Sequence, residues 1–490
     1  MLWLALYLPT LPLDVCPATE TPPRPRLVVE SAGRLERVVV ADALAQSLGI
    51  RAGIRLSAAL ALANELSVHR RRPQAEAEAL QALACWAQQF TPTVVVVGPA
   101  MLLLEIGGCL RYFGGLAALR ERVEAGLASL GYAAQSACAP TPLAACWRAG
   151  QGEAAAIVEP AGLRAGIAAL PLAVLPLEAR QQDGLAQLGV TTLAELMALP
   201  GAGVARRFGP DVGLWLDRAL GIVADPRVAF VPPARFVRCI DLDYPFEHVD
   251  VFLRLAERLL TELAGFLGGR GLGVQSLCFR FVYDDLPATE LDVGFGRPLR
   301  RLGDMLAVLR ERAERITLAA PVFAVEVRAD RLQPLDGQAL PLLDRQLGHG
   351  DLPLLLARLR ARLGDEAVCS IATVADHRPE RAWRIVADAE AGTLLPGGGP
   401  PSGGQAIDDR SIGARPGWLL PEPLALAVRD QRPWHDEPLR AIGRPERIES
   451  GWWDDGSTVR DYWQAVGPSG RRYWIFQDRH ELGWWLHGIF

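Results

Sequence analysis

The side chains that most often carry chemistry are scattered along this chain. Its cysteines, Cys16, Cys85, Cys109, Cys138, Cys146, Cys239, Cys278 and Cys369, form no C-x-x-C pair, and His69, His248, His349, His377, His435, His480 and His487 are equally dispersed. That spacing argues against a zinc module and a disulfide framework, and fits a reducing cytoplasm. All 51 basic residues are arginine. No lysine is therefore available as a Schiff-base or general-base amine, or as a point charge for a triphosphate. Carboxylates are missing from two apolar runs: no acidic residue lies between Met1 and Leu13, or between Phe90 and Leu104. Asp14 and Glu105 follow those runs singly, and a lone carboxylate cannot organise a pair of metal ions. No metal and no cofactor is expected.

These residues must be positioned by several domains, because 490 residues exceed one core. The net charge of -5 means that any DNA contact must come from a local basic face. Leu2 to Leu8 reads as a buried first strand, not a signal peptide or membrane span, since it lacks a basic flank and is broken by Pro9 and Pro12. Arg37 to Val40 predicts a strand, Ala41 to Ser47 and Ser57 to Leu66 predict helices, and Gln74 to Phe90 a longer one. Thr93 to Val97 and Met101 to Ile106 predict a strand pair turning at Gly98-Pro99, with helix again over Leu116 to Leu130.

From Leu170 to Gly221 the pattern is helical, and Thr192 with Glu195 has the spacing of a capping box. Gly201 and Gly203 follow as a glycine hairpin between helices, where free amides can face a phosphate. Residues 235–331 alternate as β-α-β-β-α-β, a four-stranded sheet with two helices on one face. Arg270, Arg280, Arg297, Arg300 and Arg301 are candidates for a positive sheet face. A helix follows over about 351–363, then the Gly/Pro-rich stretch 396–404. Eight of the thirteen tryptophans fall at or after Trp418, more than a small β unit needs for its own core. An exposed aromatic partner surface is expected there, with Trp452, Trp453, Trp484 and Trp485 as candidates.

Several strings, in order, make the chain resemble the Y-family DNA polymerases from residue 1 to about 331. They are Gly49-Ile-Arg-Ala-Gly-Ile54, Phe90-Thr-Pro-Thr-Val94, Leu104-Glu105-Ile106-Gly107-Gly108, Leu110-Arg-Tyr-Phe-Gly-Gly115, Leu188-Gly-Val-Thr-Thr192 and Leu199-Pro200. The tail strings Pro445-Glu-Arg-Ile-Glu-Ser-Gly-Trp-Trp453, Arg460-Asp-Tyr462, Trp474-Ile-Phe476 and Gly483-Trp-Trp-Leu-His-Gly488 are similar to the ImuB family, polymerase-like members of bacterial mutagenesis cassettes.

The resemblance implies an α+β multidomain fold. Palm and fingers would span 1–165, a helical thumb 166–230 and a little finger 231–332. A clamp-peptide and helical extension over 333–390, a linker over 391–415 and a Trp-rich β region over 416–490 would follow. It also places Ala5 where a family H-x-D-x-D string has its metal-binding aspartate. Ala100 and Met101 fall on the acidic pair of an S-I-D-E string, and Glu105 on a further aspartate. Ala43 and Gln46 stand where Y-E-A-R has its Tyr and Arg, and Ala145 where a phosphate-contacting lysine falls. Gln338, Leu340, Leu342 and Leu343 resemble a sliding-clamp-binding peptide, without its terminal aromatic and with one extra residue.

What the resemblance implies for function is a pseudo-enzyme: a non-catalytic adaptor in error-prone translesion synthesis and SOS-induced mutagenesis. It would link the β sliding clamp, a RecA-like ImuA protein and an error-prone C-family DNA polymerase, holding damaged primer-template DNA mainly through phosphates. Two alternatives stand beside it: an active Y-family translesion polymerase with displaced metal ligands, and a DNA-binding module without replisome contacts.

Overall fold

The opening strand, Trp3–Tyr7, lies between two antiparallel neighbours, Met101–Glu105 and Gln135–Ala139. Val94–Val97 completes this four-stranded sheet at the far side of Met101–Glu105. Alternate side chains of the opening strand enter different cores. Leu2, Leu4, Leu6 and Leu8 pack against the helices Pro73–Ala87 and Leu116–Ser129, while Trp3 and Ala5 pack toward the helix Pro142–Gly150. Burial on both faces explains a continuous apolar run instead of an alternating one. Leu4 and Leu6 are fully buried, each stabilising the fold by about 2 kcal/mol.

The computed structural model describes residues 1–16, 24–33, 35–63, 65–335, 352–386, 415–454 and 456–490. These form two units, Met1–Leu363 and Gly364–Phe490. In the first unit a small second sheet has Arg26–Ala32 at its centre, antiparallel to Leu35–Ala41 and parallel to Ser67–Arg70. The helix expected to reach Leu66 stops at Leu62, because the chain must extend into the Ser67–Arg70 strand. That strand has four residues, too few to show a period of two in the sequence.

The helical segment contains Leu163–Ala168, Ala179–Gln187, Leu193–Ala198, Gly201–Phe208 and Pro210–Ala219. The capping box forms as expected: Glu195 N donates to Thr192 Oγ1 at 3.4 Å, and Thr192 N donates to Glu195 Oε2 at 3.0 Å. The glycine hairpin does not form. Gly201 begins the next helix directly after Pro200, and Gly203 N already donates to Pro200 O at 2.9 Å. Proline pre-organises a helix start, so Leu199-Pro200 makes the whole turn.

The β-α-β-β-α-β pattern is realised by strands Phe236–Phe246, Leu272–Val282, Thr289–Leu299 and Val322–Ala329, with helices Val249–Arg270 and Leu302–Ala313. Strand order runs from Thr289–Leu299 through Leu272–Val282 and Val322–Ala329 to Phe236–Phe246. A short added strand, Leu332–Pro334, pairs with Leu272–Val282. The helix Leu352–Leu363 joins this same core through Ala357 and Ala361.

The second unit is built on seven antiparallel strands. Their spatial order is Glu437–Pro438, Arg432–His435, Trp418–Arg429, Trp484–Ile489, Arg472–Asp478, Thr458–Val466 and Arg440–Ser450. The hairpin at Gly467-Pro-Ser-Gly470 forms as the sequence predicts, with Gly470 at φ +83° and its amide donating to Gly467 O at 2.9 Å. A separate hairpin pairs Ser370–Thr373 with Trp383–Val386. No described helix is long and apolar enough to cross a membrane.

Candidate functional site

Strand register decides what stands at the three positions where the polymerase resemblance puts metal-binding carboxylates. Ala5 pairs with Leu103 on one side and Ala137 on the other, Tyr7 pairs with Met101, and Leu8 N donates to Ala100 O at 2.8 Å. Ala5, Leu103 and Ala137 are fully buried in one apolar cluster with Trp3, Val95 and Ala139, and Tyr7, Val97 and Met101 pack at its margin. Methyl and isobutyl groups occupy a face on which Mg²⁺ would require hard oxygen donors. The described residues at these positions therefore do not fit a two-metal site.

Glu105 lies at the opposite end of its strand, across from Trp3. It lies four steps along the strand from Met101, about 13 Å of extended chain. Its Oε1 accepts from Leu2 N at 3.3 Å and Gly107 N at 3.2 Å, which satisfies backbone donors where the sheet begins. Asp14 accepts from Thr10 Oγ1 at 2.8 Å. Burial pushes its carboxyl up to about 6, against the lowering effects of that hydrogen bond and of Arg258. Both acids have structural partners.

The nucleotide-side positions do not converge. Ala43 and Gln46 lie on the short helix Ala43–Ser47, where Asp42 caps the Ala45 amide at 2.8 Å and Gln46 Nε2 donates to Ala41 O at 2.7 Å. Ala145 is fully buried within the helix Pro142–Gly150. A lysine there would have to leave an apolar core to reach a phosphate.

The five candidate arginines do not share one sheet face. Only Arg280 lies on the open side, where its cross-strand partners are Glu290 and Glu326. Arg328, on the same side, pairs with Glu290 at 2.6 Å and Glu326 at 3.4 Å. With Asp241 and Asp292 added, four carboxylates face two arginines, so the expected positive sheet face is instead acid-rich. Sequence spacing could not show this, because each neighbour comes from a different strand. Arg270 ends the helix Val249–Arg270, packs over Phe266 at 4.9 Å and donates to Pro233 O at 2.7 Å. Arg297, Arg300 and Arg301 cluster instead where Thr289–Leu299 passes into the helix Leu302–Ala313.

In the second unit the tryptophans divide. Trp474 is buried, stacked on Tyr462 at 4.2 Å. Trp484 and Trp485 are half-buried, against Trp463 and Phe476 respectively. Trp452 and Trp453 project into solvent, 80% and 58% exposed, edge to face at 5.4 Å. Hydrogen bonds from Arg378 brace their turn. Arg378 Nη1 donates to Asp454 Oδ1 at 2.9 Å and to Gly456 O at 3.2 Å, and Arg378 Nη2 donates to Asp454 Oδ2 at 2.7 Å. The Arg378 guanidinium holds the Asp454 carboxyl down at about 2. Gln338, Leu340, Leu342 and Leu343 lie outside the described residues.

One constellation was not legible in the sequence. Cys16, His69 and Asp243, each far from the others along the chain, bring one ligand-type atom apiece to within 4.8 Å of one another.

Residues 19–147 match the impB/mucB/samB family. The crystal structure of DinB from Sulfolobus solfataricus is similar at 16% identity and TM-score 0.39, covering 67% of this chain and 98% of that one. The insertion ternary complex of Dbh DNA polymerase is similar at 16% identity and TM-score 0.40, covering 68% and 99%. Protein ImuB from two strains of Caulobacter vibrioides is 30% identical over 478 residues, covering 90% of this chain and 100% of the relative. With a match of that length and identity, the chain belongs to the ImuB family.

Proposed function

We propose that this protein is a non-catalytic, polymerase-like adaptor in error-prone translesion synthesis and SOS-induced mutagenesis, working in the cytoplasm. The observation that carries this is the burial of Ala5, Leu103 and Ala137 in one apolar cluster where the chemistry would need metal-bound oxygens. Palm and fingers (1–165), thumb (166–230) and little finger (231–332) serve as a body that holds DNA and partners. DNA contact is electrostatic, through Arg270, Arg297, Arg300 and Arg301 and the helix starting at Gly201. The acid-rich side carrying Arg280 takes no part in it.

The partners implied by the resemblance are the β sliding clamp, bound through Gln338, Leu340, Leu342 and Leu343, and a RecA-like ImuA protein and an error-prone C-family DNA polymerase, bound through the tail. Support for the tail comes from Trp452 and Trp453. Large apolar rings held on a braced turn lose little entropy when a partner covers them. Primer extension with the purified full chain tests the central claim. No template-dependent incorporation is expected with Mg²⁺ or Mn²⁺, and incorporation that follows the template would overturn it.

A further inference from the structure

Three separated stretches meet at one junction of the first unit. Cys16 follows the short helix Leu11–Asp14, His69 belongs to the small-sheet strand Ser67–Arg70, and Asp243 to the little-finger strand Phe236–Phe246. His69 Nδ1 is 2.5 Å from Asp243 Oδ2. Arg72 Nη2 reaches Cys16 Sγ at 3.5 Å and Asp243 Oδ2 at 3.6 Å, while its Nη1 donates to Asp241 O at 3.4 Å. Tyr244 stands edge-on to the His69 ring at 5.9 Å. Arg26 donates to the carbonyls of Leu13 and Cys16 below.

The members set one another's charge. Burial opposes an imidazolium at His69, yet Asp243 and Cys16 together raise it to about 9. Burial also opposes a thiolate at Cys16, but His69 and Arg72 bring it below its ordinary range. The His69 hydrogen bond, against burial and with Arg72, holds Asp243 low. A divalent cation fits poorly here. Arg72 already supplies positive charge to both the sulfur and the carboxylate. The His69–Asp243 separation of 2.5 Å is that of a hydrogen bond, whereas neighbouring ligands of tetrahedral zinc stand roughly 3.3 Å apart for bonds of its usual length.

What the junction joins is decided by the cores. The small sheet has its own cluster, Leu27, Val29, Val38, Ala41, Ala45, Ile50 and Ala59, which shares no member with the little-finger cluster. The palm is different: its Cys85 belongs to the little-finger cluster, and a Cβ added to Gly269 would fall 2.8 Å from the Gln88 carbonyl carbon. Little finger and palm are thus welded by apolar packing, while small sheet and little finger meet through polar groups. Polar contacts of this kind open at lower free energy than a packed core.

We infer that Cys16, His69, Arg72 and Asp243 form a breakable latch between the fingers sheet and the little finger, and that the fingers sheet swings free when it opens. The adaptor role is not needed for this to hold. Hydrogen exchange and iodoacetamide labelling of the full chain, read by mass spectrometry, compare wild type with Asp243→Asn. Exchange over 67–70 and alkylation of Cys16 should rise about tenfold, the loss expected for one charge-assisted hydrogen bond. Exchange over the opening strand 3–7 should stay unchanged. Arg72→Gln should produce the same rise in exchange over 67–70. Unchanged exchange and labelling would overturn the latch, and so would an equal rise over 3–7, which would mean general loosening. Protection of wild-type Cys16 by micromolar Zn²⁺, reversed by a chelator, would overturn it in favour of a metal centre.

Discussion

Ala5 lies directly across the sheet from Leu103, and neither side chain reaches solvent. The pair lies between the strand face and the helix Pro142–Gly150, in a cluster that continues through Leu185, Leu196 and Phe208. A face sealed in this way contributes to folding where a polymerase would need it open to metal and nucleotide.

Ala5→Asp should therefore destabilise the first unit by about 3 kcal/mol, because an unpaired carboxylate would be buried among hydrocarbon. Urea denaturation followed by far-UV circular dichroism checks this. Combining it with Ala100→Asp and Met101→Glu should not produce primer extension. A variant of unchanged stability would show that water reaches this face.

The tryptophans predict opposite outcomes within one unit. Trp452→Ala or Trp453→Ala should leave the melting temperature unchanged, since both rings are exposed. Either should weaken capture of the ImuA-like protein or the C-family polymerase by about 2 kcal/mol, as for a central aromatic contact. Trp474→Ala, at a buried ring, should instead cost about 3 kcal/mol or more of stability.

DNA affinity should fall steeply with salt. Removing Arg300 and Arg301 together should lower the slope of log affinity against log salt by about 2, because each guanidinium neutralises one phosphate. Arg280→Ala should change neither affinity nor slope, because Glu290 and Glu326 flank that guanidinium. Fluorescence anisotropy at several salt concentrations distinguishes these outcomes.

The clamp peptide can be tested by pull-down. Gln338→Ala with Leu342→Ala should abolish retention by the β sliding clamp. Undiminished retention would place the clamp-binding segment elsewhere on the chain.

Two histidines should give the units opposite responses to pH. His69 titrates at about 9 in the fold against 6.5 when unfolded, with Cys16, Asp243, Asp241, Arg72 and Arg26 around it. Its stabilisation is complete below 6.5 and is lost as pH rises through 9. His487 is fully buried beside Tyr462, whose hydroxyl lies 2.8 Å from its Nδ1. Burial, aided by Arg460 and opposed in part by Glu380, lowers it to about 4. The unfolded chain therefore binds more protons between 4 and 6.5, so this unit loses stability as pH falls through that window. Relative to the intrinsic base-catalysed rate at each pH, protection of the amides over 67–70 should fall between pH 7 and 9.5, and over 484–489 between pH 7 and 5. His69→Gln and His487→Gln should each flatten the corresponding response.

Some of this is legible in the sequence. Leu2 to Leu8 identified a central strand, Thr192 and Glu195 a helix start, and Gly467-Pro-Ser-Gly470 a hairpin, because each depends on neighbours in the chain. The strands Arg26–Ala32, Trp418–Arg429 and Arg440–Ser450 were missed. Many side chains of the last two are exposed, and partners rather than periodicity hold them in place, while Arg26–Ala32 buries only the short run Leu27, Val28 and Val29.

By itself, the sequence determined that no carboxylate can stand between Met1 and Leu13 or between Phe90 and Leu104, since composition admits no rearrangement. It also determined the excess of tryptophan in the tail. Only the tertiary structure decided that Ala5 is sealed by Leu103 and Ala137, that Arg280 lies between two glutamates, and that Gly201 starts a helix. It alone separated Trp452 and Trp453 from the buried rings, and brought Cys16, His69 and Asp243 together. The physical reason is range. Hydrogen-bond register and domain docking set which side chains face each other across hundreds of residues, and local propensity carries no record of either.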